Sequence, residues 1–192
     1  MKNILAVFCI VFASGSLHSQ TQQGTWEFSL SGNAGSVSTS SQYSGPYSSS
    51  SSESEAEGYV LLALRPGLYV VDGLALEPEI LWTAVEHEKP CFSLSGNLAY
   101  NFAIPESRTT PFLLVGYGTG NAIPINNTLL FRSSYKLDIS LVNLGAGLKI
   151  FLAEQAALRL EYRYQKYTEE GEYRSSMHKF HNVFFGFSVF VP

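Results

Sequence analysis

Residues Arg159–Gln165, RLEYRYQ, alternate without a break between polar or charged and apolar or aromatic side chains. Successive side chains of a β-strand point to opposite faces. Leu158, Leu160, Tyr162 and Tyr164 therefore share one face, and Arg159, Glu161, Arg163 and Gln165 share the other. In a water-soluble sheet the first set is core; in a sheet lying in lipid the second set must be the enclosed one. The environment of the chain decides between the two.

The opening residues bear on that environment. The chain starts MKNILAVFCIVFASGSLHSQ, with a basic Lys2, an apolar run over Ile4–Phe12, then small and polar residues. This is the layout of a secretory signal peptide, so residues 1–19 are expected to be removed after Ser19 and residues 20–192 to form a single domain. The apolar run is far shorter than the ~20 residues a membrane-spanning helix needs, and no later run reaches that length. Cys9 lacks the small residues that precede a lipidated cysteine. Loss of the leader leaves Cys91 alone, so no intramolecular disulfide holds the fold. The net charge is −4, with no basic patch, which argues against nucleic acid as a partner. Aromatic residues make up 14% and charged residues only 15%, against a usual ~25% charged. Such a composition favours strands with much non-aqueous contact.

From Thr25 onward the pattern has period 2, with no sustained helical period. Eight strands are expected: Thr25–Gly35, Glu57–Val70, Leu74–Val85, Cys91–Ile104, Pro111–Thr119, Tyr135–Phe151, Ala156–Thr168 and Lys179–Val191. The connections after odd-numbered strands are mostly the longer ones: Ser36–Ala56, Glu86–Pro90, Gly120–Ser134 and Glu169–His178. The first of these, which contains YSGPYSSSSSESE, has too little apolar surface to offset the entropy of ordering and is expected to be mobile.

The faces are well separated. Phe92, Leu94, Leu98, Tyr100, Phe102 and Ile104 oppose Ser93, Ser95, Asn97, Ala99 and Asn101. Trp26, Phe28 and Leu30 oppose Glu27, Ser29 and Ser31, and Leu76, Ile80 and Trp82 oppose Glu77 and Glu79. Phe185, Phe187, Val189 and Val191 share a face, while Phe184 and Phe190 fall on the polar side. In Tyr135–Phe151 the phase changes near Val142, which suggests a bulge or a stretch above the membrane. The apolar faces carry bulky residues in numbers that overfill a tight eight-stranded interior, whereas the polar faces, rich in Ser, Asn, Gly and Ala, suit a narrow lumen. Turning Arg159 and Arg163 to lipid would cost ~2–4 kcal/mol each near the midplane. The charged face is therefore the inside. In lipid only a closed barrel satisfies the backbone of a sheet. The fold expected is all-β, an eight-stranded antiparallel up-and-down transmembrane β-barrel in the outer membrane, with both termini and the short turns on the periplasmic side.

GAGLKIFLAEQAALRLEYRYQKY, Gly145–Tyr167, resembles the penultimate hairpin of the OmpA/OmpX-type small outer-membrane barrels, and RPGLYVVDGLALEPEI, Arg65–Ile80, is similar to an earlier hairpin of that family. The resemblance spans nearly all of residues 20–192. It implies outer-membrane lipid and lipopolysaccharide as surroundings, insertion by the barrel-insertion machinery, and a surface ligand reached through the loops.

Catalytic and metal-binding constellations are weak. Lipid A deacylase barrels would show a His-x-Ser pair on one strand face, and none occurs. His178 and His181 with Glu172 lack a fourth, oriented ligand, so no metal and no cofactor is expected. Glu77 and Glu79 share a face, as paired acid–base carboxylates would. The same lumen receives Glu27, Glu161, Arg65, Lys149, Arg159 and Arg163, four charges of each sign in all, and these are expected to pair into a network that closes it. Asn126-Asn127-Thr128 matches a glycosylation pattern without consequence in such a setting. The role expected is structural or surface-interactive and not enzymatic. The alternatives are a narrow passive channel, a lipid A-modifying enzyme and a soluble lipocalin-like binder.

Overall fold

The computed structural model describes residues 21–37, 40–45, 48–53, 57–86, 90–105, 107–120, 139–170 and 175–192. Eight strands close into an antiparallel barrel in the order β1-β10-β9-β8-β7-β6-β5-β4. They are β1 (Trp26–Val37), β4 (Glu57–Val71), β5 (Leu74–Val85), β6 (Cys91–Asn101), β7 (Thr109–Gly120), β8 (Ile139–Ala153), β9 (Ala156–Glu170) and β10 (Ser175–Val191). The first strand meets the last from Trp26↔Val191 to Gly32↔Phe185, so the sheet closes on itself and the seam is paired.

Residues 21–25, the chain end and the short turns gather at one end of the barrel. Gly24 N donates to Tyr69 O at 2.8 Å, Gly73 N to Thr21 O at 2.8 Å, and Phe190 N to Gln155 O at 2.9 Å. The turn between β4 and β5 needs glycine at position 73 twice over: its φ is +79°, and a Cβ there would stand 2.8 Å from Asn101 O. Ladder irregularities fall at Tyr69/Val71 and Phe151/Ala153, both beside turns at this end.

Bulky apolar residues face outward all round. Trp26, Phe28, Leu64, Ile80, Leu98, Val115, Leu148, Leu160 and Phe185 are all exposed. In water such a belt would be far too large for a monomer, so the soluble lipocalin-like reading is overturned.

Several sequence expectations are corrected. The segment Ser36–Ala56 is not wholly irregular. It carries a separate hairpin of β2 (Ser40–Gly45) and β3 (Ser48–Glu53), paired from Ser40↔Glu53 to Gly45↔Ser48. Serine-rich composition denies a core but leaves the backbone free to form a ladder. The phase change near Val142 is no bulge, because β8 keeps one register with β7 from Ile139↔Gly120 to Ile150↔Thr109. Ile139 and Leu141 simply point inward, where they pack with Tyr167 and, at the edge, Phe180. The lumen is apolar near the end that carries the longer connections, and its chemistry, not its register, changes. The fourth expected strand stops at Asn101 and not Ile104. Phe102 N donates to Pro111 O at 2.8 Å, but Pro111 has no N–H to return the bond. The last hairpin runs further than expected, to Ser175↔Glu170. Residues 121–138, which hold the long connection, the glycosylation match and the start of the sixth expected strand, lie outside the described residues, as do residues 1–20.

Candidate functional site

All eight charged residues expected in the lumen are buried there and touch one another. Each arrives by strand alternation: Glu27 on β1, Arg65 on β4, Glu77 and Glu79 on β5, Lys149 on β8, and Arg159, Glu161 and Arg163 on β9. β9 supplies the spine. Arg159 makes a two-pronged contact with Glu77, NH1 to Oε1 at 3.1 Å and NH2 to Oε2 at 2.9 Å, and its Nε donates to Glu161 Oε2 at 3.0 Å. Arg163 grips Glu79 through NH1 at 2.7 and 2.8 Å and reaches Glu161 Oε1 from Nε at 2.6 Å. Lys149 Nζ donates to Glu27 Oε2 at 2.5 Å and to Tyr69 Oη at 3.1 Å, and Tyr69 in turn donates to Glu27 Oε2 at 3.0 Å.

Arg65 has a second task. The β4–β5 ladder lacks pairs between Leu64↔Ile80 and Leu68↔Leu76, the stretch in which Pro66 and Pro78 face each other. Neither proline can donate a backbone bond. Directly behind this gap Arg65 Nε meets Glu79 Oε2 at 2.7 Å, an ion pair joining the same two strands from inside. Arg65 NH1 also donates to Glu161 Oε2 at 2.6 Å, and NH2 to Ser31 Oγ. The network thus staples the wall where the backbone ladder is open.

Above the charges runs a chain of amides. Asn33 Nδ2 donates to Asn182 Oδ1 (3.2 Å), Asn182 to Gln165 (2.9 Å), Gln165 to Asn143 (3.1 Å), Asn143 to Asn97 (3.1 Å), and Asn97 to Glu77 O (3.1 Å). Single hydrogen bonds thus link β1, β10, β9, β8, β6 and β5, passing over β7, and Asn182, Gln165, Asn143 and Asn97 each use both donor and acceptor. Aromatic rings stack on the cations: Phe112 lies 4.4 Å from the Arg159 guanidinium and Phe184 lies 4.9 Å from that of Arg163. Phe184 and Phe190, the two that broke the pattern of β10, are buried lumen rings. Glycines make the room. A Cβ at Gly147 would lie 2.5 Å from Phe112 Cζ, and one at Gly116 would collide with Asn97 Oδ1. The alternation already puts Asn97, Gln165 and Phe184 on the polar faces, but the hydrogen bonds that join the amides and the placing of Phe112 over Arg159 are not read from the sequence.

Other candidates are not brought together. Glu77 and Glu79 are each held by arginine and present no free carboxylate pair. Among the described residues no three His, Cys, Asp or Glu side chains could hold a metal. His178 and His181 lie on β10, and His181 Nδ1 is 2.5 Å from the Tyr162 hydroxyl on the outer face. Cys91 is free and buried.

The family model for an outer membrane protein β-barrel domain matches residues 7–189. The chain belongs to that family. Barrels of this family sit in the outer membrane, which accounts for the apolar belt and the enclosed charges together. The chain is similar in structure to the N-terminal β-barrel domain of Pseudomonas aeruginosa OprF, with TM-score 0.55 and 16% identity over 88% of this chain and 98% of that one. It is likewise similar to Neisserial surface protein A, with TM-score 0.55 and 11% identity over 87% of this chain and 97% of that one. At these identities the likeness is one of fold alone. No protein with a curated description matches the sequence.

Proposed function

We propose that this outer-membrane barrel is a closed, non-enzymatic envelope protein whose role is structural and, through its longer connections, surface-interactive. The observation that carries this reading is the filled lumen: four buried acids and four buried bases are mutually paired, and an amide chain crosses six strands above them. An eight-stranded interior is just wide enough for side chains, and open aqueous channels belong to barrels of about 16 strands. A balanced set of charges also leaves no ring of one sign to select ions. Lipid and lipopolysaccharide surround the belt. The basic and apolar start of the chain supports export with removal of residues 1–19, followed by delivery to the barrel-insertion machinery.

The test is conductance. The purified barrel in a planar bilayer is expected to show no steady current, and Arg163→Ala, which leaves Glu79 and Glu161 short of a partner, is expected to give rare small openings. Steady porin-like current from the unaltered protein overturns the reading. Orientation is tested separately. An epitope inserted at Ser50, within the β2–β3 hairpin, should be labelled by antibody on intact cells, and labelling only after the outer membrane is broken would place the longer connections on the wrong side.

A further inference from the structure

Lys166 on β9 and Lys179 on β10 are direct cross-strand partners. Both project from the outer face, the face that elsewhere carries the apolar belt. The other cations on the described strands, Arg65, Lys149, Arg159 and Arg163, all point into the lumen. The two cations left outside are therefore set directly opposite each other, an arrangement that is repulsive unless an anion lies between them. No described carboxylate does so, since none of the ion pairs among the described residues includes either lysine. The neighbours on the same face are Val142, Tyr164, Thr168, Met177 and His181.

The height of the pair says what the anion is. Lys166 stands eight residues along β9 from Leu158, the first outward apolar residue of that strand. At ~3.4 Å per residue and a tilt of ~40°, that is about 21 Å up a band about 25 Å tall. Tyr162, Tyr164 and His181 lie just below, in the position of an interfacial aromatic girdle. The lysines therefore emerge where acyl chains give way to headgroups, at the barrel end that carries the longer connections.

We propose that Lys166 and Lys179 jointly bind one phosphate of an anionic glycolipid of the outer leaflet, whose acyl chains lie along Tyr162, Leu160, Val183 and Phe185. Opposed Cβ atoms stand about 4.5–5.5 Å apart, so both ammonium groups reach one phosphate and the repulsion becomes two charge-assisted contacts. Two mobile point charges suit a phosphate monoester presented from a fluid leaflet. The site rests on the outer-membrane reading and on its orientation. Its test in detergent depends on neither conductance nor orientation, so the two can fail separately.

The barrel is incubated with diphosphorylated lipid A, or with the same lipid stripped of phosphate, and retained lipid is measured by native mass spectrometry. The unaltered protein is expected to prefer the phosphorylated form, Lys166→Gln/Lys179→Gln to lose that preference about tenfold, and the paired Lys→Arg variant to keep it. Unchanged mobility shift on boiling shows that each variant is folded. Equal retention of the two lipids by the unaltered protein, or an undiminished preference in the glutamine variant, overturns the proposal. Displacement of the lipid by millimolar inorganic phosphate would assign the site to a free anion and overturn the lipid source.

Discussion

Arg159→Met is expected to cost about 3–5 kcal/mol of unfolding free energy, measured by urea titration of the barrel folded into lipid vesicles. Arg159 faces three carboxylates: Glu77 and Glu161 at hydrogen-bond distance and Glu27 at 3.5 Å. Methionine fills much of the volume and keeps a contact with Phe112, so the loss reports charge and not a cavity. Removing one member leaves acids buried without a counter-charge, which is the expensive outcome; removing an opposed pair leaves the remaining network balanced. Arg159→Met/Glu77→Gln should therefore recover part of the loss. A single-variant cost under about 1 kcal/mol would match an exposed, hydrated pair and would mean that water reaches the network.

Leu160→Arg is the second large effect. Leu160 faces outward between Leu148 and Phe185 in the neighbouring strands, well inside the apolar belt. An arginine near the midplane should cost about 2–4 kcal/mol, falling to about 0–1 kcal/mol close to the interface. Tyr164→Arg, four residues higher on the same face, is the depth control. The same urea titration should rank the two well apart. Equal costs would remove the basis for the face assignment. Gln165 does not serve as a neutral reference for the opposite face, because it is buried in the amide chain and hydrogen-bonded to Asn143 and Asn182.

The alternation in β9 and β6 carried most of the fold, because a lipid-embedded strand tolerates no error on its outer face. The eight lumen charges were legible for the same reason: each stood at an inward position between outward apolar residues. Pairing was harder to read. That Arg65 reaches Glu79 and Glu161 while Lys149 reaches Glu27 depends on strand stagger, which residue type does not reveal, just as it does not reveal that Gly116 and Gly147 leave the room for Asn97 and Phe112. The phase change in β8 misled because inward Ile139 and Leu141 look like lipid-facing residues when read one strand at a time; only Tyr167 and Phe180 from neighbouring strands identify them as an internal plug. The β2–β3 hairpin was hidden because a ladder of serines leaves no hydrophobic period.

The lumen charges divide unequally along the chain. β1, β4 and β5 contribute Glu27, Glu77 and Glu79 against Arg65, a surplus of two negative charges; β8 and β9 contribute Lys149, Arg159 and Arg163 against Glu161, a surplus of two positive. The two halves of the sequence are therefore electrostatic complements that become neutral only when wrapped around each other. A sheet made from either half alone would carry uncompensated charge on its concave side, in addition to unpaired strand edges, both costly in lipid. Closure of the cylinder neutralises both halves at once, so the cost of enclosing either set of charges is offset only in the completed barrel.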